Sequence, residues 1–374
     1  MLRQTLTGIG RYAQCLARGL ENHPDIDRVL YYERFGWAET MPRPAPHVSI
    51  QEKAFDQARH IPFVPTLYHG LRRACFRLTT RRSGAALYHE PNFVLMPFDG
   101  PSVATIHDLS YLHFPQFHPK DRIQHMEKGM PRTLKRADHL IAVSEFVRAE
   151  MIRILGVPAE KVTAIPEAAD ESFRVRHPAE CEPVLRRHGL RGVPYLLTVG
   201  TLEPRKNFAG LIAAHARLPE RTQEKHPLVM IGMKGWLSDA LERRIEPLER
   251  SGRVRRLGYV AAEDLPFLYA AAHAFAFPSF YEGFGLPPLE AMACGVPVLI
   301  SNRSSLPEIA GDAALQVDPE DIEAMTRGLE QLLSDDSFRA AAAAAGPRRA
   351  AHFTWQHCVD RTVSVYRKVL AGAS

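Results

Sequence analysis

Pro278-Ser279-Phe280-Tyr281-Glu282-Gly283-Phe284-Gly285-Leu286-Pro287-Pro288-Leu289-Glu290-Ala291-Met292-Ala293-Cys294-Gly295 is the most informative stretch of the chain. An apolar run, Ala274 to Phe277, precedes it and reads as a buried strand. The spacing predicts a helix opening at Pro287 or Pro288, where proline is tolerated because the first helical amides have no partner within the helix. The loop between them holds Gly283 and Gly285, and glycine lets backbone amides come close to a ligand. Amides at a helix start carry partial positive charge and suit a phosphate. Glu282 in the loop and Glu290 in the expected first helical turn bracket these amides. An anion site between two acids fits a ligand with hydroxyls at both ends, the shape of a sugar nucleotide.

The same strand-then-polar rhythm recurs along the chain. Apolar runs at 87–89, 103–106, 140–143, 162–165, 195–199, 228–231 and 298–300 end at Glu90, His107, Ser144, Pro166, Gly200, Gly232 and Ser301. Helix-like segments follow, and Ser144 is a good N-cap. Alternating strands and helices predict an α/β fold with parallel sheets covered on both faces. Ligands bind beyond the carboxyl ends of such strands, where the unusual residues here fall.

Periodicity lapses between Asp170 and Pro183 and restarts at Tyr195. The expected division is therefore 1–175, 176–352 and a final segment 353–374. Residues 22–86 read as short strands and loops with no element placed. Residues 334–350 read as helix and 353–370 as an amphipathic helix.

A length of 374 residues suits two α/β domains. Hydrophobic content of 45% with 24% charged residues is that of a globular protein, and no apolar run is long enough to span a bilayer. The N-terminus lacks the apolar core of a secretion signal. Cys15, Cys75, Cys181, Cys294 and Cys358 are scattered, with no Cys-x-x-Cys pair, which suits a reducing cytoplasm rather than a disulfide framework. The net charge is +5. Basic residues cluster at Arg72, Arg73, Arg77, Arg81 and Arg82. That cluster reads equally as a solvated helix or as a face toward anionic lipid at the inner membrane; no nucleic-acid recognition motif accompanies it.

Three further motifs carry chemistry. Gly200-Thr201-Leu202-Glu203-Pro204-Arg205-Lys206-Asn207 follows a strand, and its adjacent Arg205 and Lys206 suit a phosphate that gains charge as it leaves. His107-Asp108 ends another strand. His107 could bond a sugar hydroxyl and Asp108 could orient its ring. With His113, His118 and Asp121 nearby, the spacing matches no standard zinc motif, so no metal is expected. Gly8-Ile9-Gly10-Arg11-Tyr12-Ala13 matches Gly-x-Gly-x-x-Ala, but no strand is read before Gly8, which removes a dinucleotide reading.

The pair Glu282 and Glu290 forms a Glu-x7-Glu pattern. With its glycines and prolines, the stretch closely resembles bacterial glycosyltransferase family 4, retaining enzymes of the GT-B fold. The resemblance implies two Rossmann-like domains facing across a cleft, with a last helix crossing back to the first. It implies Glu290 on ribose hydroxyls, Glu282 on the transferred sugar, and amides of Gly283, Phe284, Gly285 and Leu286 on sugar and phosphate oxygens. Arg205 and Lys206 would offset diphosphate charge without a metal or other cofactor, and Thr201 stands where many members have arginine. Gly200 would line the donor site, Tyr259 and Val260 the base, and the Gly8–Gly10 loop the phosphate and acceptor, with a helix over 12–20 behind it. His107 and Asp108 would lie near the reaction centre. The sequence context resembles bacterial mannosyl- and rhamnosyltransferases of surface polysaccharide assembly. It implies GDP-mannose as donor ahead of UDP- or dTDP-sugars, and a glycan or lipid-linked acceptor. A GT-B-like sugar-nucleotide epimerase and a non-catalytic nucleotide-sugar-binding protein are the alternatives.

Overall fold

A computed structural model describes residues 8–33, 35–42, 64–236 and 239–372. Two parallel sheets organise these residues. The first contains β3 (Tyr88–Glu90), β4 (Ser102–Ile106), β5 (His139–Ala142) and β6 (Val162–Ala164), in the order β3-β4-β5-β6. The antiparallel ribbon of β1 (Tyr31–Glu33) and β2 (Gly36–Ala38) stands apart. The second sheet has the order β12-β11-β10-β7-β8-β9. Its members are β7 (Leu196–Val199), β8 (Leu228–Ile231), β9 (Val254–Gly258), β10 (Ala274–Phe277), β11 (Val298–Ser301) and β12 (Leu315–Val317).

The central strands β4, β5, β8, β10 and β11 are buried along their whole length. Their unbroken apolar runs follow from helices covering both faces of a parallel sheet. From β7 the chain winds outward to β8 and β9, then returns to place β10 on the other side of β7. Connections diverge at that point, so a crevice opens above the carboxyl ends of β7 and β10. The loop carrying Arg205 leaves β7, and the loop carrying Glu282 leaves β10.

The last helix, Trp355–Gly372, lies on the first sheet's side. Its Cys358, Val359, Val363 and Tyr366 share a core with Tyr12, Leu16 and Leu20 of the helix Gly8–Glu21 and with Val103 and Ile141. A Cβ on Gly19 would fall 2.3 Å from Val359, so the two helices need glycine there to approach this closely.

Three readings of the sequence are corrected. Gly8 and Gly10 lie in the first turn of a helix, not in a loop. Glycine weakens a helix, but Tyr12, Leu16 and Leu20 repeat every four residues and bury one face. Residues 64–83, within the stretch read as strands and loops, form one helix, Val64–Ser83. The helix after β10 opens at Leu286, which moves Glu290 to its fifth position and therefore into the second turn. Residues 1–7, where the sequence shows no strand, lie outside the described residues.

Candidate active site

Arg205 and Lys206 sit in a single 3-10 turn, Pro204–Lys206, directly after β7. Asn207, at φ 56°, closes that turn. Its side chain accepts from the Gly210 amide and donates to the carbonyls of Pro278 (3.1 Å) and Pro319 (2.7 Å). The β7 loop is thereby pinned to the β10 loop.

The two loops meet at Glu282. Its carboxylate accepts from Lys206 Nζ at 2.7 Å and from Arg205 Nη1 at 3.1 Å. Arg205 also donates to the Tyr281 carbonyl and, through Nη2, to Glu203 Oε1, each at 2.6 Å. Burial alone would raise the Glu282 carboxyl; Arg205 and Lys206 outweigh it and hold the group below its ordinary range. Burial likewise opposes the Arg205 charge, but Glu282 and Glu203 win and raise it. Lys206 Nζ stands 4.8 Å from the centre of the Phe277 ring, which adds a cation–π contact. The four side chains Glu203, Arg205, Lys206 and Glu282 form a neutral, buried ion network. Arg205 Nε is buried with no hydrogen-bond partner among the described residues.

Glu290 is 4% exposed, and its Oε1 accepts from Arg11 Nη1 at 2.7 Å. Arg11 belongs to the helix Gly8–Glu21. Burial exceeds the pull of Arg11, so the Glu290 carboxyl lies above its ordinary range.

Gly285 takes φ 122°, a backbone that favours glycine, and opens the helix Leu286–Ala293. Gly283 has a different reason to be glycine. A Cβ there would lie 1.6 Å from the His107 carbonyl oxygen, so this loop touches the first sheet's β4 terminus rather than leaving room for a ligand at that atom. Phe284 is buried in the core, and Leu286 packs against it.

His107 is buried with both ring nitrogens engaged: Nε2 donates to the Pro91 carbonyl at 2.8 Å, and Nδ1 lies 3.2 Å from Glu167 Oε1. Tyr12 meets the ring edge-on, with centroids 4.9 Å apart. Asp108 does not orient the imidazole as expected. It accepts from the Ser110 amide (3.0 Å) and hydroxyl (2.7 Å) instead. Burial would raise Asp108, but Arg205 and Arg122 hold it low. Gly200 and Gly232 end adjacent strands and press together; a Cβ on Gly232 would fall 1.9 Å from the Gly200 carbonyl oxygen. Beyond β9, Val260 is a core side chain, whereas Tyr259 is 60% exposed.

A seam of polar contacts joins the two sheets' layers beside this crevice. The Tyr281 hydroxyl donates to Glu150 Oε2 at 2.5 Å and accepts from the Leu109 amide at 3.1 Å. Ser144 Oγ donates to the Gly283 carbonyl at 2.6 Å. Both Glu308 oxygens accept, at 2.9 Å each, from the Glu145 and Phe146 amides and so cap the helix Glu145–Leu155. Trp236 Nε1 donates to the Phe117 carbonyl at 2.5 Å. Sequence reasoning missed Arg11, Glu167, Tyr281 and Glu308 because each acts on a partner far away in the chain. Among the described residues, no group of three His, Cys, Asp or Glu side chains could hold a metal ion, and no helix is long and apolar enough to cross a membrane.

Comparison with known proteins agrees with this fold. The family model for glycosyl transferases group 1 matches residues 186–349, and that for glycosyltransferase family 4 matches residues 6–173. The chain is 40% identical to the O-antigen chain mannosyltransferase B of Escherichia coli, over 98% of this chain and 97% of the relative. It is 33% identical to the serotype-specific mannosyltransferase WbdA of Escherichia coli, over 63% of this chain but 29% of that longer protein. Among solved structures, WaaG, a glycosyltransferase involved in lipopolysaccharide biosynthesis, aligns with a TM-score of 0.73 at 17% identity, covering 96% of both chains. Anabaena Alr3699/HepE, in complex with UDP and glucose, aligns with a TM-score of 0.74 at 20% identity, covering 97% of both. With family models over both halves and a relative matched nearly end to end, the chain belongs to glycosyltransferase family 4 and has the GT-B fold.

Proposed function

We propose that this glycosyltransferase moves mannose from GDP-mannose to a glycan or lipid-linked acceptor during assembly of a surface polysaccharide, with retention at the anomeric carbon. The observation that carries the reading is the end-to-end similarity to O-antigen chain mannosyltransferase B. The site is compatible with it. The nucleotide lies over the second sheet, with its base near Tyr259 and Val260 and its ribose at Glu290. The diphosphate lies toward Arg205 and Lys206, and Glu282 takes hydroxyls of the mannose. Amides of Gly283, Phe284, Gly285 and Leu286 add donors beside the helix start. The unpartnered Arg205 Nε–H supports an anion that completes its bonding.

As the glycosidic C–O bond breaks, charge develops on the diphosphate. Arg205 and Lys206 stabilise it, a role that in other enzymes falls to a divalent ion. The acceptor hydroxyl attacks from the same face and passes its proton to the departing phosphate. His107 holds the donor sugar through Nε2, exchanging the Pro91 carbonyl for a sugar hydroxyl, and Asp108, Gly200, Gly8 and Gly10 frame the entrance. The acceptor approaches from the first domain, 1–175. The second, 176–352, holds the donor, and segment 353–374 ties the two together.

The test is calorimetry with GDP, UDP and dTDP, followed by turnover of GDP-mannose with an oligosaccharide acceptor in chelator. GDP preference and an α-linked mannosyl product from the α-linked donor are expected. Tighter binding of UDP or dTDP, an inverted product, loss of activity in chelator restored by manganese, or an epimer formed without acceptor would each overturn the corresponding part.

A further inference from the structure

Arg11 and Glu290 are 279 positions apart and come from opposite sides of the cleft. Arg11 stands in the first turn of the helix Gly8–Glu21, Glu290 in the second turn of Leu286–Ala293. The contact is single: Nη1 on Oε1 at 2.7 Å. The guanidinium also lies 5.8 Å from the Phe173 ring centre, which fixes it from the other side.

Four titratable groups face Glu290: Arg11 from the first helix, Tyr269 from the helix Leu265–Ala270, Asp170 from the connecting segment, and Cys294 at the end of its own helix. Arg11 is the cation among them. The buried Tyr269 hydroxyl faces the same carboxyl and, like Arg11, favours its charged form. Without Arg11, a buried carboxyl beside an aspartate would take up a proton. A neutral acid is a weaker acceptor of hydroxyl protons than a carboxylate.

We propose that Arg11 is a positioning residue for the nucleotide: acting through Glu290, it keeps that buried side chain a carboxylate and fixes one oxygen, so that the other meets the ribose hydroxyls. The inference rests on the reading of Glu290 as the ribose-binding acid. It has a consequence for closure: the ribose site is complete only when the first helix is docked against the second domain.

The full-length protein is titrated by calorimetry with GDP and with 2′,3′-dideoxy-GDP between pH 6.0 and 8.5. Arg11→Gln is expected to weaken GDP about tenfold at the acid end of that range, the size of one hydrogen bond to a charged group, and to regain most of that loss at the alkaline end. Arg11→Lys, which keeps the charge, tracks the wild type. The dideoxy ligand shows no penalty from Arg11→Gln. In the wild type, GDP binding weakens toward the acid end of the range while dideoxy-GDP binding does not, a readout that needs no variant. Unchanged or tighter GDP binding by Arg11→Gln, or a loss equal at every pH, overturns the inference. If instead Glu290→Gln and wild type both bind GDP and dideoxy-GDP alike, the ribose reading of Glu290 fails, whatever Arg11 does.

Discussion

The position a Cβ would take on Gly283 lies 1.6 Å from the carbonyl oxygen of His107. Backbone of the β10 loop thus rests on backbone at the end of β4, and the Ser144 hydroxyl bonds the Gly283 carbonyl alongside. Even a methyl group must push these layers apart. Misplacement of about 1 Å at a reaction centre can cost on the order of 100-fold in rate. Gly283→Ala is therefore expected to lower kcat by about that factor while GDP binding, measured by calorimetry, changes much less. A turnover within twofold of wild type would show that the close approach does not set the reacting geometry.

The ion network around Glu282 predicts a graded response to charge removal. In Lys206→Met, Glu282 keeps Arg205, so the stability cost is about 2 kcal/mol, that of one hydrogen bond to a charged group. Activity should fall on the order of 100- to 1,000-fold if the lost ammonium stabilises the leaving diphosphate. Arg205→Met strips both Glu282 and Glu203 of their shared cation. Breaking a buried pair from one side costs about 3–5 kcal/mol. Urea unfolding of the two variants should give that order, and the reverse order would contradict the geometry.

The ends of the strands were legible because local signals agree there: a short β-rich run, then glycine, proline or charge. That ligand-binding residues sit on the loops after β7 and β10 followed from the alternation of strands and helices, which places ligands beyond the carboxyl ends of parallel strands; that these two strands are neighbours did not. Partners distant in sequence were not legible. Nothing near Glu290 names Arg11, and nothing near His107 names Glu167, 60 positions on. The arginine cluster was open to a solvated-helix reading, but the extent of the helix Val64–Ser83 escaped because Leu67, Leu71 and Leu78 are exposed, so its apolar residues do not mark a core-facing stripe. Gly8 and Gly10 read as loop because the family resemblance implies a glycine-rich loop there, whereas packing of Tyr12, Leu16 and Leu20 carries the helix back through both glycines.

Glu308 reaches across the cleft to cap the helix Glu145–Leu155 through two amides. Loss of a helix cap typically costs about 1 kcal/mol. Because this cap belongs to the opposite layer, Glu308→Ala should also loosen domain closure. The expected result is a melting temperature lowered by a few degrees together with a raised KM for the acceptor. An effect on stability with kinetics untouched would mark the contact as purely structural.

The exposed leucines of the Val64–Ser83 helix bear on the reading of its arginines as a face toward anionic lipid. Leu67, Leu71 and Leu78 are 74%, 53% and 67% exposed on the helix that carries Arg72, Arg73, Arg77, Arg81 and Arg82. Apolar side chains among arginines suit a surface of anionic lipid, each arginine adding about 1 kcal/mol near it. The protein is expected to sediment with vesicles of anionic lipid at low salt and to be released by high salt or by Leu71→Glu with Leu78→Glu. Equal partition onto neutral and anionic vesicles would remove the electrostatic part of this proposal.

Two neighbours at the edge of the first sheet make opposite demands on pH. His89 is wedged between the Tyr366 and Thr105 hydroxyls, at 2.6 and 2.8 Å, and burial, with His107 nearby, pushes it down to about 3. Glu90 accepts from the Tyr88 hydroxyl at 2.6 Å, and burial pushes it up to about 7 despite Tyr88 and Arg72. Between about pH 3 and 6.5, unfolding lets His89 take up a proton, so stability rises with pH. Between about pH 4.5 and 7, unfolding releases a proton from Glu90, so stability falls as pH rises. Where the windows overlap, from about 4.5 to 6.5, the two slopes cancel. Each amounts to about 1.4 kcal/mol per pH unit for one proton. Relative to wild type, Glu90→Gln should therefore gain stability with rising pH across that interval, and His89→Gln should lose it. Urea denaturation at pH 4.8, 5.6 and 6.4 reads both slopes, and parallel lines for all three proteins would contradict the assignment of either group.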